Sequence, residues 1–136
     1  MIKGETTLRV RYGETDRMNY AYYGNYALYY EVARAELLRT YGMDYSQMED
    51  MGVMMPVKDL HVEFLKPAKY DELLTIVTII KKAPSVKMRF EYEVYNSNKE
   101  LINTGYTTLV FMDKNSKRII RAPEFFTNLF IKDFSK

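Results

Sequence analysis

The chain reads YGETDRMNYAYYGNYALYYEVAR over residues 12–34, and the change of pattern within this stretch decides the fold. A polar segment over residues 13–19 comes first, and from residue 25 apolar side chains recur at three- and four-residue steps. This spacing is typical of a helix with one buried face. The apolar positions are Tyr26, Tyr29, Tyr30, Ala33, Leu37 and Tyr41. Gly42 follows where a helix end favours positive φ, so the pattern predicts a long helix over about residues 25–41.

The segments on both sides of this helix alternate between apolar and polar residues, which predicts strands. Before the helix, the alternation covers residues 6–12. After it, the sequence predicts strands over about residues 59–65, 73–80, 86–94 and 101–112, and turn-forming residues at 96–99 join the last two. Gly105 inside the last strand predicts a bulge or a close approach of another backbone.

Two shorter helices complete the predicted elements. Residues 44–47 (DYSQ) resemble a capping box, so a short helix is expected over about 44–51 that ends at Gly52. Pro123 suits the first turn of a terminal helix whose Phe126, Leu129 and Phe130 face inward. The most economical arrangement is a single α+β domain over residues 1–136, with an antiparallel sheet wrapped around the long helix. Because such a sheet leaves its edges uncovered, we expect a homo-oligomer.

The composition excludes several classes of protein. Twenty Lys and Arg against eighteen Asp and Glu leave a net charge of +2, which does not favour nucleic-acid binding. No apolar run approaches the roughly 20 residues of a membrane span, and no export signal opens the chain, so we expect a cytoplasmic protein. With no Cys and one His, no disulfide, thiolate nucleophile, metal centre or cofactor is expected. Carboxylates, hydroxyls and backbone dipoles remain as catalytic groups.

The loop before the long helix carries the candidate chemistry. The first N–H groups of a helix have no partner within the helix, and the helix macrodipole places partial positive charge there. Asp16 lies a few residues upstream and is expected to bring a carboxylate to the same point. A carboxylate beside preorganised N–H donors is the arrangement that acyl transfer requires. The same pattern also allows a purely structural Asp16 in a polar turn.

The loop resembles the signature of hot-dog-fold acyl-CoA thioesterases of the 4-hydroxybenzoyl-CoA thioesterase-like (YbgC/FadM-like) family. Residues 16–18 match its D-x-M motif, and residues 23–26 match its Y-x-N-Y motif. The block VEFLKPAKYDELLTI over residues 62–76 and the region through residue 111 extend the resemblance over nearly the whole chain. The resemblance implies a hot-dog fold, in which the sheet wraps the central helix and the active sites lie at a dimer interface.

The resemblance also implies roles for individual residues of the loop. Asp16 matches the catalytic carboxylate of the family, which acts either as a nucleophile that forms a mixed anhydride or as a general base on water. The backbone N–H of Tyr23 donates to the thioester carbonyl, and Gly24 allows close approach and is a second candidate donor. Asn25 is expected to cap the helix. The implied reaction is hydrolysis of an acyl-CoA to a free acid and coenzyme A.

Further contacts are expected outside the loop. A partner protomer is expected to complete the site with its strand over residues 55–63, within a homodimer that assembles to a tetramer. The candidate substrate-binding residues are Asn25, Tyr26, Val57, Asp59 and His61, although the strand pattern favours a structural or pocket-wall role for His61. Lys81, Lys82 and Lys87 flank a turn and are candidates for binding the phosphates of coenzyme A.

Two positions depart from the family pattern. Tyr23 stands where many bacterial relatives carry His, and Asn19 replaces a common Gly at a position where Asn tolerates positive φ. Two alternative functions therefore stay open: a thioesterase that acts on acyl groups attached to acyl carrier protein, and a non-catalytic module that binds acyl thioesters. A hot-dog dehydratase is less favoured because its usual His is not found in this loop.

Overall fold

A long helix, α1, forms the centre of the fold in the computed structural model, which describes residues 1–134. Helix α1 spans Tyr26–Thr40 and follows directly on a 3₁₀ turn at Tyr23–Asn25. The side chains predicted to face inward along α1 are buried, namely Tyr26, Tyr29, Tyr30, Ala33 and Leu37. Gly42 adopts a φ of +79° just past the helix, as predicted.

Seven strands form an antiparallel sheet that packs against α1. They are β1 (Ile2–Arg9), β2 (Val53–Met54), β3 (Val57–Phe64), β4 (Leu73–Ile80), β5 (Lys87–Tyr95), β6 (Leu101–Asp113) and β7 (Ile119–Ile120). The main order is β1-β4-β5-β6, and β3 pairs along the other side of β6. The four strands predicted after the helix are confirmed as β3, β4, β5 and β6, with boundaries that differ by two residues or fewer. The short β2 and β7 have no predicted counterpart.

Strand β1 lies nearer the N-terminus than the alternation over residues 6–12 predicted. It ends at Arg9, and a 3₁₀ turn occupies Tyr12–Glu14. The Arg11 N–H donates to the Glu14 carboxylate at 2.9 Å rather than to a neighbouring strand. This local bond turns the chain away from the sheet, so the alternation of side chains continues beyond the end of the strand.

The core between α1 and the sheet contains a layer of paired aromatic and polar side chains. The rings of Tyr30 and Tyr92 stack with 4.1 Å between their centroids. The Tyr30 hydroxyl donates to the Asn103 amide oxygen, and the Tyr92 hydroxyl shares a 2.6 Å hydrogen bond with Thr107. A Cβ at Gly105 would clash with the backbone carbonyl oxygen of His61 on β3 and would lie 2.5 Å from the Tyr30 hydroxyl oxygen. The close approach predicted at Gly105 is therefore confirmed, and it brings α1 against β6.

The shorter helices lie where the sequence predicted them. Helix α2 (Tyr45–Asp50) begins with the expected capping box, in which the Gln47 N–H donates to the Asp44 carboxylate at 2.8 Å. The terminal helix is divided into α3 (Glu124–Thr127), a 3₁₀ turn (Asn128–Phe130) and α4 (Ile131–Phe134). Within residues 1–134, no helix combines the length and the hydropathy of a membrane span.

Strand β3 forms an edge of the sheet, since among the described residues only β6 pairs with it. Its side chains are mostly exposed, and the apolar Leu60 and Phe64 are 46% and 53% exposed. An unpaired edge of eight residues that carries exposed apolar side chains is a template for pairing with another chain.

Candidate active site

The loop between β1 and α1 folds into a tight turn around Asp16. The Asp16 N–H donates to the Tyr20 carbonyl oxygen at 2.9 Å, and the Asn19 N–H donates to the Asp16 carbonyl oxygen at 3.0 Å. Asn19 adopts a φ of +65°, which confirms the prediction that this position needs a residue tolerant of positive φ. Backbone hydrogen bonds therefore hold Asp16 on both sides.

The Asp16 carboxylate is half-buried and is held at one of its two oxygens. Oδ1 accepts a hydrogen bond from the Met18 N–H at 2.9 Å. Within residues 1–134, no protein group donates a hydrogen bond to Oδ2. The side chain thus has a fixed direction and one oxygen that is open to a substrate or a water molecule.

The 3₁₀ turn at Tyr23–Asn25 forms the N-terminal end of α1. The Tyr22 N–H donates to the Glu14 carbonyl oxygen at 2.8 Å, and the Asn25 N–H donates to the Tyr22 carbonyl oxygen at 2.9 Å. Tyr23 and Gly24 lie between Tyr22 and Asn25, and no backbone oxygen within residues 1–134 accepts a hydrogen bond from their N–H groups. Two unpartnered donors at the positive end of a helix are suited to stabilise an oxyanion.

Asp16 and Tyr23 line the same cleft, which has a volume of about 270 Å³. The buried Tyr26 contributes to its wall, and the exposed Tyr23 ring lies edge-on to Phe64 with 6.5 Å between the centroids. Met18, Tyr20, Ala21, Leu65, Lys66 and Pro67 complete the lining. The cleft brings together the predicted carboxylate and the predicted helix end, as acyl-transfer chemistry requires.

Asn25 does not cap α1 with its side chain, so that prediction is wrong. Its backbone is already helical, with φ −77° and ψ −16°, because the 3₁₀ turn precedes the helix without a break. Instead, Asn25 Nδ2 donates to the Glu14 carbonyl oxygen at 2.7 Å. Gly24 leaves room for a neighbouring ring, since a Cβ there would lie 2.6 Å from Tyr22 Cε2. Asn25 and Gly24 are therefore beside the cleft rather than among the residues that line it.

The predicted substrate-binding residues of β3 lie on two faces of the sheet. Asp59 and His61 are paired with Thr108 and Tyr106 on the face that points away from α1. The His61 ring stacks on Tyr106 with 5.2 Å between the centroids, and His61 Nε2 lies 3.2 Å from a Glu63 oxygen. A β-bulge between Val57 and Asp59 interrupts the alternation, so Val57 pairs with the buried Leu109 and shares the face of Phe64 rather than that of Asp59 and His61. Within one protomer, none of the three lines the Asp16 cleft.

Two of the three predicted coenzyme A-binding lysines share a separate cleft of about 240 Å³. Lys81 and Lys82 line it with Arg89 and Glu91, and Lys81 Nζ lies 3.2 Å from a Glu91 oxygen. Lys87 is exposed but does not line this cleft. The sequence did not indicate Arg89 as a candidate. Arg89 lies two residues from Glu91 and therefore on the same face of β5.

Glu14 anchors the loop through its side chain. Its carboxylate accepts hydrogen bonds from the Arg11 N–H, the Arg11 guanidinium and the Tyr29 hydroxyl, at 2.9–3.0 Å. Burial raises the pKa of Glu14, but these hydrogen bonds and the Arg11 charge outweigh burial, so the pKa is lowered from its ordinary value. Glu14 is therefore ionised in the folded protein at neutral pH.

The end of β3 is the second part of the site that sequence reasoning missed. The Phe64 ring contacts both Tyr23 and Tyr26, and its centroid lies 5.4 Å from that of Tyr26. Leu65, Lys66 and Pro67 follow it along the wall of the cleft. The alternation of Leu60, Val62 and Phe64 was a usable signal, because it places Phe64 on the face that packs against the helix.

Comparisons with known proteins point to one family. A model of the thioesterase-like superfamily matches residues 10–130. YneP of Bacillus subtilis is 35% identical over 84% of this chain and 83% of its own length. The acyl-CoA thioesterase YbgC of Haemophilus influenzae is 31% identical over 86% of both chains. The solved DHNA-CoA thioesterase of Staphylococcus aureus has a TM-score of 0.93 and 33% identity, covering 99% of this chain and 93% of that one.

These similarities extend over the site as well as the sheet. The matched residues 10–130 include Asp16, the 3₁₀ turn at Tyr23–Asn25 and every long strand except β1. The superposition on the Staphylococcus aureus enzyme adds β1 and covers nearly the whole chain. The chain belongs to the thioesterase-like superfamily, and its fold is the hot-dog fold that the sequence predicted.

Proposed function

We propose that the protein is an acyl-CoA thioesterase, which hydrolyses an acyl-CoA to a free acid and coenzyme A. The observation that carries the proposal is that Asp16 and Tyr23, which lies at the N-terminal end of α1, line one cleft. The names of related proteins agree with this reaction, since YbgC is an acyl-CoA thioesterase and the Staphylococcus aureus enzyme acts on DHNA-CoA.

In the proposed reaction, the Tyr23 N–H donates to the thioester carbonyl oxygen and stabilises the negative charge that develops on it, and the adjacent Gly24 N–H is the second candidate donor. One such donor contributes about 2.7–4 kcal/mol of transition-state stabilisation. Asp16 drives attack at the carbonyl carbon, the C–S bond breaks, and the thiolate of coenzyme A leaves and takes up a proton. Neither a metal ion nor a cofactor enters this scheme.

Two routes give the same products. As a general base, Asp16 takes a proton from a water molecule whose oxygen attacks the carbonyl carbon. As a nucleophile, the open Asp16 Oδ2 attacks the carbon itself, and water then hydrolyses the resulting mixed anhydride. Hydrolysis in ¹⁸O-water under single-turnover conditions separates the general-base route from a nucleophilic route in which water attacks Asp16 Cγ of the anhydride, because only the latter places label in the Asp16 carboxylate and leaves the released acid unlabelled.

The proposal includes a homodimer, and a tetramer built from it, in the cytoplasm. The support for the dimer is the unpaired β3 edge, which carries the exposed Leu60 and Phe64. Phe64 also lines the Asp16 cleft, so the edge and the cleft are continuous. A partner that covers this edge brings its own residues 55–63 to the cleft, including Val57, Asp59 and His61. Lys81, Lys82 and Lys87 are the proposed contacts for the phosphates of coenzyme A, and Arg89 joins them because it lines the cleft of Lys81 and Lys82.

The experiment is a turnover assay over short, long and aromatic acyl-CoAs, with the released thiol measured by a disulfide reagent. The chain contains no Cys, so the protein itself adds no background to this assay. We expect Asp16→Asn to lower kcat by roughly 10²–10⁴-fold, as loss of a proton-transfer or attacking group does. Asp50→Asn, at the exposed end of α2, is the matched control and is expected to retain full activity.

One outcome contradicts the carboxylate assignment: Asp16→Asn turns over acyl-CoA at a rate near that of the wild type. The position of Tyr23, where many bacterial relatives carry His, favours the non-catalytic module as the second candidate. That candidate requires wild-type protein that binds acyl-CoAs across the panel and hydrolyses none of them. Hydrolysis of acyl groups on acyl carrier protein, with poor activity on coenzyme A esters, identifies the other carrier.

A further inference from the structure

We infer that Glu14 is a positioning residue, which holds the N–H groups of Tyr23 and Gly24 in place relative to Asp16. The inference rests on the proposed function, because it assigns Glu14 a part in the same reaction. Glu14 does not line the cleft, and its side chain is only 17% exposed. It therefore acts through its neighbours rather than on the substrate.

The carboxylate of Glu14 joins the end of the β1 segment to the first turn of α1. Oε1 accepts from the Arg11 N–H at 2.9 Å and from the Tyr29 hydroxyl at 3.0 Å. Oε2 accepts from Arg11 Nε at 3.0 Å and forms a 2.9 Å ion pair with the outer guanidinium nitrogen. Both oxygens are thus engaged, and the bond to Tyr29 fixes the loop to the helix that carries the proposed oxyanion donors.

The backbone oxygen of Glu14 binds the residues on both sides of those donors. It accepts from the Tyr22 N–H at 2.8 Å and from Asn25 Nδ2 at 2.7 Å. Tyr23 and Gly24 lie between these two contacts. Asp16 follows Glu14 by two residues, and the intervening Thr15 pairs with Ala21. One residue therefore sets the distance between the carboxylate and the two N–H groups.

The charge of Glu14 matters as well as its shape. An ionised carboxylate only accepts hydrogen bonds, and here all of its partners are donors. In Glu14→Gln, the amide NH₂ replaces either Oε1, where it meets the Arg11 N–H, or Oε2, where it meets the Arg11 guanidinium, and neither Arg11 group can accept a hydrogen bond. That contact is lost, and the loop shifts relative to α1. A displacement of about 1 Å at a catalytic group lowers turnover by roughly 10²-fold.

The test compares Glu14→Gln with Glu36→Gln in acyl-CoA hydrolysis. Glu36 is on α1 and pairs with Arg39 at the surface, so its substitution makes the same chemical change away from the cleft. We expect Glu14→Gln to lower kcat by roughly 10- to 100-fold while KM stays within about twofold. Glu36→Gln is expected to match the wild type.

A second variant separates positioning from loss of folding. Tyr29→Phe removes only the hydroxyl that bonds to Glu14, and the buried ring remains. We expect a smaller fall in kcat than in Glu14→Gln, and a combined fall smaller than the product of the two single effects, since both variants weaken the same anchor. In amide NMR spectra, the signals of Tyr23 and Gly24 are expected to move in Glu14→Gln and to stay unchanged in Glu36→Gln.

Three outcomes overturn the inference: an unchanged kcat in Glu14→Gln, a rise in KM with kcat unchanged, or unmoved Tyr23 and Gly24 amide signals. Wild-type protein that hydrolyses no acyl-CoA refutes the proposed function instead. In that case the amide signals still decide whether Glu14 positions the segment.

Discussion

The buried layer beneath α1 and the loop that carries Asp16 are both rich in tyrosine, yet they are ordered by different forces. In the layer, Tyr30 and Tyr92 are at most 1% exposed and stack face to face. In the loop, Tyr22 and Tyr23 are 46% and 65% exposed. Hydrogen bonds centred on Glu14 hold the loop, and few of its side chains are removed from water.

This difference separates the residues that stabilise the fold from those that arrange the site. Removing a buried ring loses transfer free energy and leaves a cavity, so it lowers the free energy of unfolding. Removing one loop hydrogen bond changes that free energy little, but it moves groups whose mutual distance controls turnover. We therefore expect substitutions in the layer to change stability and substitutions in the loop to change activity.

The largest effect on stability is expected from Tyr92→Ala. The substitution removes the ring that stacks on Tyr30 and the hydroxyl that bonds to Thr107. We expect the free energy of unfolding to fall by about 3–5 kcal/mol, as for other large aromatic truncations, measured by urea denaturation followed by circular dichroism. Turnover per folded molecule is expected to stay near the wild-type value.

Tyr92→Phe is the matched control for that prediction. It keeps the stacked ring and loses only the hydrogen bond, so a loss of about 1 kcal/mol is expected. Equal losses in the two variants would show that the hydroxyl, rather than burial of the ring, stabilises the layer. A fall in turnover with unchanged stability in either Tyr92 variant would contradict the proposal that the layer controls stability and the loop controls activity.

An intermediate effect is expected at alkaline pH from Tyr26, where the layer meets the cleft. Burial raises the pKa of the Tyr26 hydroxyl to about 12, whereas an unfolded tyrosine titrates near pH 10. The stability that depends on the neutral hydroxyl is therefore complete below pH 10 and is lost as the pH rises towards 12, because the unfolded chain ionises first. Urea midpoints measured from pH 9 to pH 11 are expected to fall with pH.

In Tyr26→Phe the fall of the urea midpoint with pH is expected to be less steep than in the wild type. It does not vanish, because burial also raises the pKa of Tyr30 and Tyr92. Identical slopes in the variant and the wild type would mean that Tyr26 does not contribute to this loss.

The smallest effect on stability is expected from Asn25→Ala, which removes the bond from Asn25 Nδ2 to the Glu14 carbonyl oxygen. We expect the free energy of unfolding to fall by only about 0.5–1.5 kcal/mol. The expected loss of kcat is roughly 3- to 10-fold, because the turn that carries Tyr23 and Gly24 loses one of its two contacts with Glu14. Asn98→Ala, in the exposed turn before β6, is the control, and equal kcat values in the two variants contradict the prediction.

Periodicity was enough to predict the helix and most of the sheet. The buried side chains of α1 recur with the 3.6-residue period of a helix, as the spacing of Tyr26, Tyr30 and Ala33 shows. The capping box of α2 is likewise a local pattern, and it formed as predicted. The end of β1 was misplaced because the Arg11–Glu14 bond, rather than the alternation, ends the strand.

The site was predictable to the extent that its groups are close in sequence. Asp16 was placed near the helix end by its position a few residues before the helix, and the resemblance to the thioesterase family assigned the donor to Tyr23. The wall formed by Phe64 and Leu65 comes from β3, about forty residues away, and only the packing of the sheet brings it to the loop. Asn25 was misassigned because a cap residue and a residue of a preceding 3₁₀ turn have the same sequence signature.

Position 23 combines two properties that are chemically independent. The unpartnered N–H belongs to the main chain and is present in every amino acid except proline, whereas the aromatic ring of Tyr23 faces Phe64 across the cleft. Exchange of this side chain during evolution would therefore reshape the space offered to an incoming molecule without removing the dipole at the helix end. Related proteins can therefore differ in substrate preference while the N–H donor and the helix dipole stay the same.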